Sequence, residues 1–258
     1  MFTVLGIGAN GINTQSTVLN AISSNIANAN TPGYGQQMTV TGNLPSSKVR
    51  PGNITLGGQL LGPHLSLAQG VEVVSNAPQF GNAVVPSGTL SNMAIDGNGF
   101  FAVSLPNGQL AYTRNGNFML DRNGELVLPS GARLYPPVSI PLGDSYTVES
   151  NGAVMVQSGA GSPKKIAQVK VAMIPNPQGL LSAGNSLYTL SAASGTATMV
   201  NPGTQNAGSL RSSSLNQSST NLAANLVNLV QAETLYNLSA KVVTVGELVT
   251  QATTNLHV

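Results

Sequence analysis

The residues that could perform acid–base or metal chemistry are few in this chain of 258 residues. Its two histidines, His64 and His257, lie far apart in sequence and have no carboxylate close by. A zinc site built on them would need further ligands, and the chain contains no cysteine to supply any. No serine stands in a Gly-x-Ser-x-Gly turn or has the acid–base partners of a nucleophile. We therefore predict no catalytic residue, no metal site and no cofactor.

One segment, Asp96-Gly97-Asn98-Gly99, has the composition of a calcium or nucleotide loop. It lacks the later carboxylates that a calcium loop requires. No helical pattern follows it, so the dinucleotide interpretation fails as well. We predict a turn between two strands. Asp121, Arg122 and Arg114 are predicted to form surface or turn-bracing pairs, which contribute little energy.

The composition restricts the partners of the chain. Charged residues make up 7% of it and the net charge is +2, against roughly 25% charged residues in ordinary globular proteins. Lys164 and Lys165 form the only adjacent basic pair, so the basic stripe of a nucleic-acid-binding protein is missing. No apolar run approaches the ~18 residues of a membrane span, and the N-terminus lacks the pattern of a cleaved signal peptide. Surfaces with so little charge associate readily.

The first element that must organise the chain is a helix predicted over residues 1–30. No charged residue occurs before Lys48, and Thr31-Pro32-Gly33 ends the helical pattern because proline disfavours helical geometry in the residue before it. Large apolar residues recur in steps of seven, with one further isoleucine between the last two steps: Leu5, Ile12, Leu19, Ile22 and Ile26.

A second helix is predicted over residues 215–258. Its apolar residues again follow a seven-residue step, with one at the alternate position: Leu215, Leu222, Leu226, Leu229, Tyr236 and Val243. Further apolar residues cover most of the circumference, so the helix needs partners on several sides. We interpret both seven-residue seams as self-assembly contacts in a multi-helix layer.

The middle of the chain predicts β structure. Residues 71–214 alternate short β-branched or aromatic runs with Asn-Gly and Pro turns, which favour hairpins. Residues 31–70, rich in Pro and Gly, are predicted to form an extended linker. The expected fold class is α+β, with N- and C-terminal helices in a coiled-coil-like inner layer and a central, mainly antiparallel β domain.

Four segments, in this order, resemble the flagellar rod, hook and hook-junction proteins: Ser24–Tyr34, Ala94–Phe101, Tyr112–Phe118 and Leu226–Ala232. The resemblance covers nearly the whole chain. The residues that carry it in the first three segments are Asn25, Asn28, Thr31, Pro32, Gly33, Tyr34, Gly97, Gly99, Phe100, Phe101, Arg114, Gly116 and Phe118.

The resemblance implies a structural subunit of the bacterial flagellar basal body, outside the cytoplasmic membrane. Such a subunit would be exported through the flagellar type III apparatus and would polymerise helically around a central channel into a drive shaft. Its implied partners are further copies of itself, other rod and hook proteins, the ring proteins around the rod and the export apparatus. Length and the phrase Leu105–Tyr112 are most similar to the distal-rod branch of the family.

Two alternatives remain open on the sequence. A proximal-rod or hook subunit belongs to the same family. A secreted β-rich binding module belongs to a different class, and it would need clustered aromatic residues in a ligand cleft. Aromatic residues make up 4% of the chain and tryptophan is absent, which disfavours that class. We also expect the terminal helices to order only on assembly, because they are too apolar to stand alone.

Overall fold

A computed structural model describes residues 2–50, 55–56, 59–60, 65–141, 143–159 and 161–255. The chain divides into two compact units. Unit 1 consists of Met1–Ile26, Met38–Asn76 and Leu222–Val258, and unit 2 of Ala27–Gln37 and Ala77–Asn221. His64 and His257, the two histidines considered above as metal ligands, lie outside the described residues.

Unit 1 contains both terminal helices, α1 (Phe2–Ala27) and α2 (Leu222–Asn255). Its strands are β1 (Gln36–Asn43), β2 (Ser47–Arg50), β3 (Thr55–Leu56), β4 (Gln59–Leu60), β5 (Leu65–Leu67) and β6 (Val71–Gln79). They pair as β1 with β6, β2 with β5 and β3 with β4. Strands therefore occur inside the segment that the sequence predicted as an extended linker. Neither described helix is long and apolar enough to cross a bilayer.

The helices pack antiparallel through small residues. A Cβ atom built on Gly8 would lie 2.6 Å from Val243 Cγ2, and one built on Gly11 would lie 2.7 Å from Ser239 Oγ. One built on Gly246 would lie 2.9 Å from Leu5 Cδ2. Such distances are too short for real side chains, so glycine is what allows the two helices to approach this closely.

The strands of unit 2 begin with β7 (Val84–Pro86), β8 (Met93–Asp96), β9 (Phe100–Ser104), β10 (Leu110–Thr113), β11 (Met119–Leu120), β12 (Leu126–Val127), β13 (Arg133–Tyr135) and β14 (Ser145–Val148). They continue with β15 (Ala153–Gln157), β16 (Lys164–Gln168), β17 (Val171–Met173), β18 (Leu181–Gly184), β19 (Leu187–Thr189), β20 (Thr198–Val200), β21 (Ser209–Ser212) and β22 (Ser214–Asn216). A short 3-10 helix, Pro177–Gly179, precedes β18.

These strands form one large sheet and several smaller ones. The large sheet has the order β11-β12-β13-β9-β10-β19-β18, and β17 joins it between β9 and β20. Strands β14, β15 and β16 form a second sheet, while β21 pairs with β8 and β22 with β7. The strand pairs are antiparallel, so the predicted α+β class with an antiparallel β domain is confirmed.

The predicted start of the C-terminal helix is wrong. Residues 214–216 form β22, in which Leu215 pairs with Val85 of β7, and the helix begins at Leu222. The physical reason is a tertiary one, because pairing with a distant strand overrides the local seven-residue pattern.

Candidate functional site

Several charged side chains of unit 2 brace its fold through ion pairs and hydrogen bonds. Among the described residues, no group of three or more His, Cys, Asp or Glu side chains could hold a metal ion. Asp96 pairs with Arg211 at 2.8 Å and Glu125 with Arg133 at 3.1 Å; the arginines are exposed and the carboxylates are partly buried. Asp121 accepts hydrogen bonds from the backbone N–H groups of Glu125 and Asn123, which lower its pKa. It therefore braces its own turn through backbone hydrogen bonds, instead of through the predicted pair with Arg122 or Arg114.

The segment Asp96-Gly97-Asn98-Gly99 connects β8 to β9, so the predicted turn is confirmed. Gly97 and Gly99 adopt φ angles of +122° and +121°, which favour glycine. A Cβ atom on Gly99 would also lie 2.1 Å from Val171 Cγ1. The glycines thus serve a tight turn packed against β17.

Arg114 is a buried strut and makes none of the predicted surface pairs. Its side chain is 4% exposed, and its Nη1 donates to Gly81 O at 2.9 Å and to Asn82 Oδ1 at 2.6 Å. Its Nη2 donates to Gly97 O at 2.9 Å. Burial lowers its pKa to about 10, and the guanidinium carbon lies 5.3 Å from the centre of the Phe100 ring. One side chain therefore holds two loops and an aromatic ring together.

The phenylalanines of the family motif lie in the core. Phe101 and Phe118 meet edge to face with ring centres 5.3 Å apart. Phe100 contacts Phe80 in the same way at 4.8 Å, and Phe80 in turn contacts Tyr188 at 4.9 Å. Such aromatic pairs contribute stability beyond the area that they bury.

The backbone of β8 at Met93 lies very close to Gly116. Its carbonyl accepts the N–H of Met93 at 3.0 Å. A Cβ atom on Gly116 would lie 1.5 Å from Met93 O, so no other residue fits without moving β8.

The turn after α1 belongs to unit 2 and packs against residues near Arg114 and Tyr188. Gly33 has a φ of +68°, and a Cβ atom there would lie 2.2 Å from Asn115 N. Its N–H donates to Asn216 O at 2.9 Å, and the N–H of Gly35 donates to the Tyr188 hydroxyl at 3.1 Å. Thr31 Oγ1 donates to Asn28 Oδ1 at 3.1 Å and steadies the turn.

Asn216 connects this turn to β8, and it was not identified as a site residue from the sequence. Its side-chain Oδ1 accepts Ile95 N at 2.9 Å, and its Nδ2 donates to Ile95 O at 2.8 Å. Ser219 acts similarly, since its Oγ accepts Gln36 N and donates to Gln79 O. No local signal identifies these residues, because their partners lie far away in sequence.

The predicted helix seams are only partly buried in the structure. Ile22 is buried, whereas Leu5, Ile12, Leu19, Ile26, Leu229 and Val243 are half-buried. Leu222 and Leu226 are 47% and 48% exposed, Tyr236 is 36% exposed, and Leu215 lies on β22. The buried positions of α2 are instead Asn225, Ala232 and Gly246. Within one chain the contact between the helices therefore uses small residues, and the self-assembly role of the large seam residues stays a prediction.

Most large apolar side chains of α2 consequently stay exposed within one chain. Eleven of them are more than a third exposed: Leu222, Leu226, Val227, Val230, Leu235, Tyr236, Leu238, Val242, Val245, Leu248 and Val249. We call this set the outer face of α2. Contiguous apolar surfaces of this kind mark interaction sites.

Comparison with known proteins identifies the class. Residues 94–156 match the family described as flagellar hook protein FlgE/F/G D1 domain, and residues 5–34 match the flagella basal body rod proteins. The chain is 31% identical to the flagellar basal-body rod protein FlgG of Buchnera aphidicola subsp. Baizongia pistaciae, over 97% of this chain and 98% of that one. It is 30% identical to FlgG of Caulobacter vibrioides, over 98% of both chains.

These matches define a protein of the flagellar rod and hook class. Within that class, the chain belongs to the FlgG family of basal-body rod proteins. The resemblance seen in the sequence motifs is thereby confirmed. The family assignment also confirms the predicted location in the flagellar basal body.

Proposed function

We propose that this chain is a structural, non-catalytic subunit of the distal flagellar rod that polymerises helically into a hollow drive shaft. The observation that carries the proposal is the outer face of α2, whose large apolar side chains stay in contact with water within one chain. Burying one such side chain contributes about 1.5–3 kcal/mol. Helices of further copies would supply that burial, and a contact repeated between unlike faces of identical subunits builds an open helical polymer.

A hook subunit is the nearest alternative within the class. The chain is 30% identical to the flagellar hook protein FlgE of Rhizobium meliloti over 74% of its own length, but it covers 41% of that protein. Its full-length agreement with rod proteins favours the rod assignment. The relevant partners are then other rod and hook proteins, with the surrounding rings and the type III export apparatus as further proposed partners.

Self-assembly through the terminal helices is the part of this proposal that mutation tests directly. Leu238 is 51% exposed on the outer face of α2, and Asn237 is an exposed neighbour on the same helix. Leu238→Asp should block filament formation, because an unpaired charge at a buried contact is strongly unfavourable. Asn237→Asp adds the same charge at a position that is already polar and serves as the matched control.

Electron microscopy and sedimentation of the purified variants, with motility of the corresponding strains, provide the readouts. We expect few filaments and lost motility for Leu238→Asp, and near-normal behaviour for Asn237→Asp. Normal filaments from Leu238→Asp would exclude the outer face of α2 as an assembly contact. Ordering of both helices on assembly also stays a prediction, which amide exchange on the dilute monomer measures.

A further inference from the structure

The contact between α1 and α2 contains one buried pair of amide side chains. Asn25 and Asn225 are each 1% exposed, and Asn25 Nδ2 donates to Asn225 Oδ1 at 3.4 Å. Among the described residues of the two helices, the only other buried polar side chain is Thr14. Thr14 donates to Val71 O on β6 rather than to the partner helix. Asn25 and Asn225 therefore form the buried polar pair between the helices.

The neighbouring contacts define the alignment of the helices. Leu5 lies against Gly246, Gly8 against Val243, and Gly11 against Ser239. The residue number rises on α1 as it falls on α2, as an antiparallel pair requires. Steps of seven from Gly11 and Ser239 lead to Val18 and Ala232, and then to Asn25 and Asn225. The amide pair thus lies in the same row as the glycine contacts.

Most contacts in this row do little to fix the alignment of α1 with α2. Glycine, alanine and serine leave few large side chains to interlock, and apolar contacts are not directional. Sliding α2 by one seven-residue step would place Ala232 or residue 218 opposite Asn25. Either shift would leave buried amide groups without each other, which is costly. A single buried asparagine pair can set alignment in helical coils for this reason.

We propose that Asn25 and Asn225 fix the register of the antiparallel terminal helices. The pair acts by making every shifted alignment unfavourable, more than by adding stability to the correct one. Register determines which residues of the outer face of α2 lie level with a given turn of α1. The pair therefore controls the surface that the helices offer to a further copy.

The absence of native cysteine makes the register directly measurable. A Cβ atom on Gly11 would lie 3.2 Å from Ser239 Cβ, close to the spacing of a disulfide. Gly11→Cys with Ser239→Cys therefore reports the observed register. Gly11→Cys with Ala232→Cys and Gly11→Cys with Gly246→Cys report shifts of one step in each direction. Disulfide yields are measured at equilibrium in a glutathione buffer, on full-length protein under conditions where circular dichroism shows both helices to be formed.

We expect the observed-register disulfide to dominate in the wild-type background. Asn25→Leu combined with Asn225→Leu should lower the ratio of observed to shifted disulfides about tenfold, since the leucines fit several alignments. Asn20→Leu with Asn228→Leu, at exposed positions of the same helices, is the control and should leave the ratio unchanged. An unchanged ratio in the Asn25/Asn225 double variant would overturn the proposal.

The single variants separate register from stability. Asn25→Leu alone leaves the amide of Asn225 facing a leucine, and should lower the thermal stability of the helices. The double variant should recover that stability while its disulfide ratio stays low. Recovery of stability together with a wild-type ratio would mean that the pair only fills space. Filament assays are not needed for either outcome, so failure here differs from failure of the proposed function.

Discussion

The two units of the chain place their large apolar side chains in opposite positions. In unit 2, Phe100, Phe101, Phe118 and Tyr188 are at most 1% exposed and meet in aromatic clusters. In unit 1, the contact between the helices relies on glycine, alanine and serine, while most leucines and valines of α2 are exposed. Unit 2 has completed its core within one chain. Unit 1 leaves many of its large apolar side chains exposed within one chain.

The family motif of unit 2 differs in the same way from the outer face of α2, which is the assembly surface that we propose. Gly33, Arg114 and Gly116 hold unit 2 together through backbone contacts that other residues cannot make. The outer face of α2, in contrast, consists of exposed leucines, valines and one tyrosine. The motif residues of unit 2 therefore identify the family without marking the assembly surface that we propose.

The largest expected effect concerns the end of unit 2. Deleting residues 222–258 should leave unit 2 folded, whereas deleting 215–258 should unfold it or lower its melting temperature sharply. The longer deletion removes Asn216, which makes two side-chain hydrogen bonds to Ile95 and one backbone hydrogen bond to Gly33. Each contributes about 0.5–1.5 kcal/mol, and β22 is lost with them. Near-ultraviolet circular dichroism and thermal unfolding of both truncated proteins decide this, and equal stability would contradict the division at Leu222.

The next prediction compares one large side chain from each unit. Phe101→Ala should destabilise the monomer by about 3–5 kcal/mol, because it opens a cavity in a closed core. Leu238→Ala should change monomer stability by less than about 0.5 kcal/mol, as is usual for surface positions, but should reduce filament formation. Urea unfolding of the monomer and sedimentation of the polymer measure the two effects. A large monomer effect for Leu238→Ala would show that α2 is already covered within one chain.

A smaller effect is expected where the helices approach each other. Gly8→Val should destabilise the helix pair by about 1–3 kcal/mol, since overpacking forces the helices apart. The clash is with Val243 Cγ2, at 2.6 Å from the added Cβ. Gly6→Ala is the matched control on the same helix, with no atom within 4 Å of its added Cβ, and should gain about 0.5–1 kcal/mol. Far-ultraviolet circular dichroism during thermal unfolding follows both, and equal effects would exclude a close contact at Gly8.

The smallest effect concerns a turn of unit 2 at low pH. The Glu125 backbone N–H and further hydrogen bonds hold the pKa of Asp121 below its ordinary value of 3.8. A carboxyl whose pKa is lowered by folding stabilises the protein above 3.8, and this contribution is lost as the pH falls through the lowered value. Asp121→Asn should therefore flatten the acid side of the stability profile, because it lowers stability at pH 7 and leaves the value at the acid end nearly unchanged. Unfolding measured from pH 7 to about pH 2 tests this, and an unaltered acid slope would refute it.

Much of the fold follows from local signals in the sequence. The helix α1 ends at Ala27, shortly before the predicted end at residue 30, and Asp96–Gly99 forms the predicted turn. The Asn-Gly turns correctly indicated an antiparallel β domain. Each of these features depends on residues that are neighbours in sequence. A sequence pattern can therefore predict them.

The remainder depends on tertiary contacts. Leu215 continues a helical pattern, but it pairs with Val85 in a strand. The seven-residue pattern of α2 follows large side chains, whereas the contact with α1 selects Ala232 and Gly246, which give no hydrophobic signal. Arg114 was expected at the surface because arginine usually lies there, yet three carbonyl acceptors hold it inside.

The division of unit 2 into two stretches has a consequence for recombination. The short stretch, Ala27–Gln37, donates the N–H groups of Gly33 and Gly35 to Asn216 and Tyr188 of the long stretch, Ala77–Asn221. A crossover that exchanged only the long stretch between two related genes would join those acceptors to a foreign donor turn. Functional chimaeras should therefore inherit both stretches from the same parent, even though 39 residues of unit 1, Met38–Asn76, lie between them in the gene.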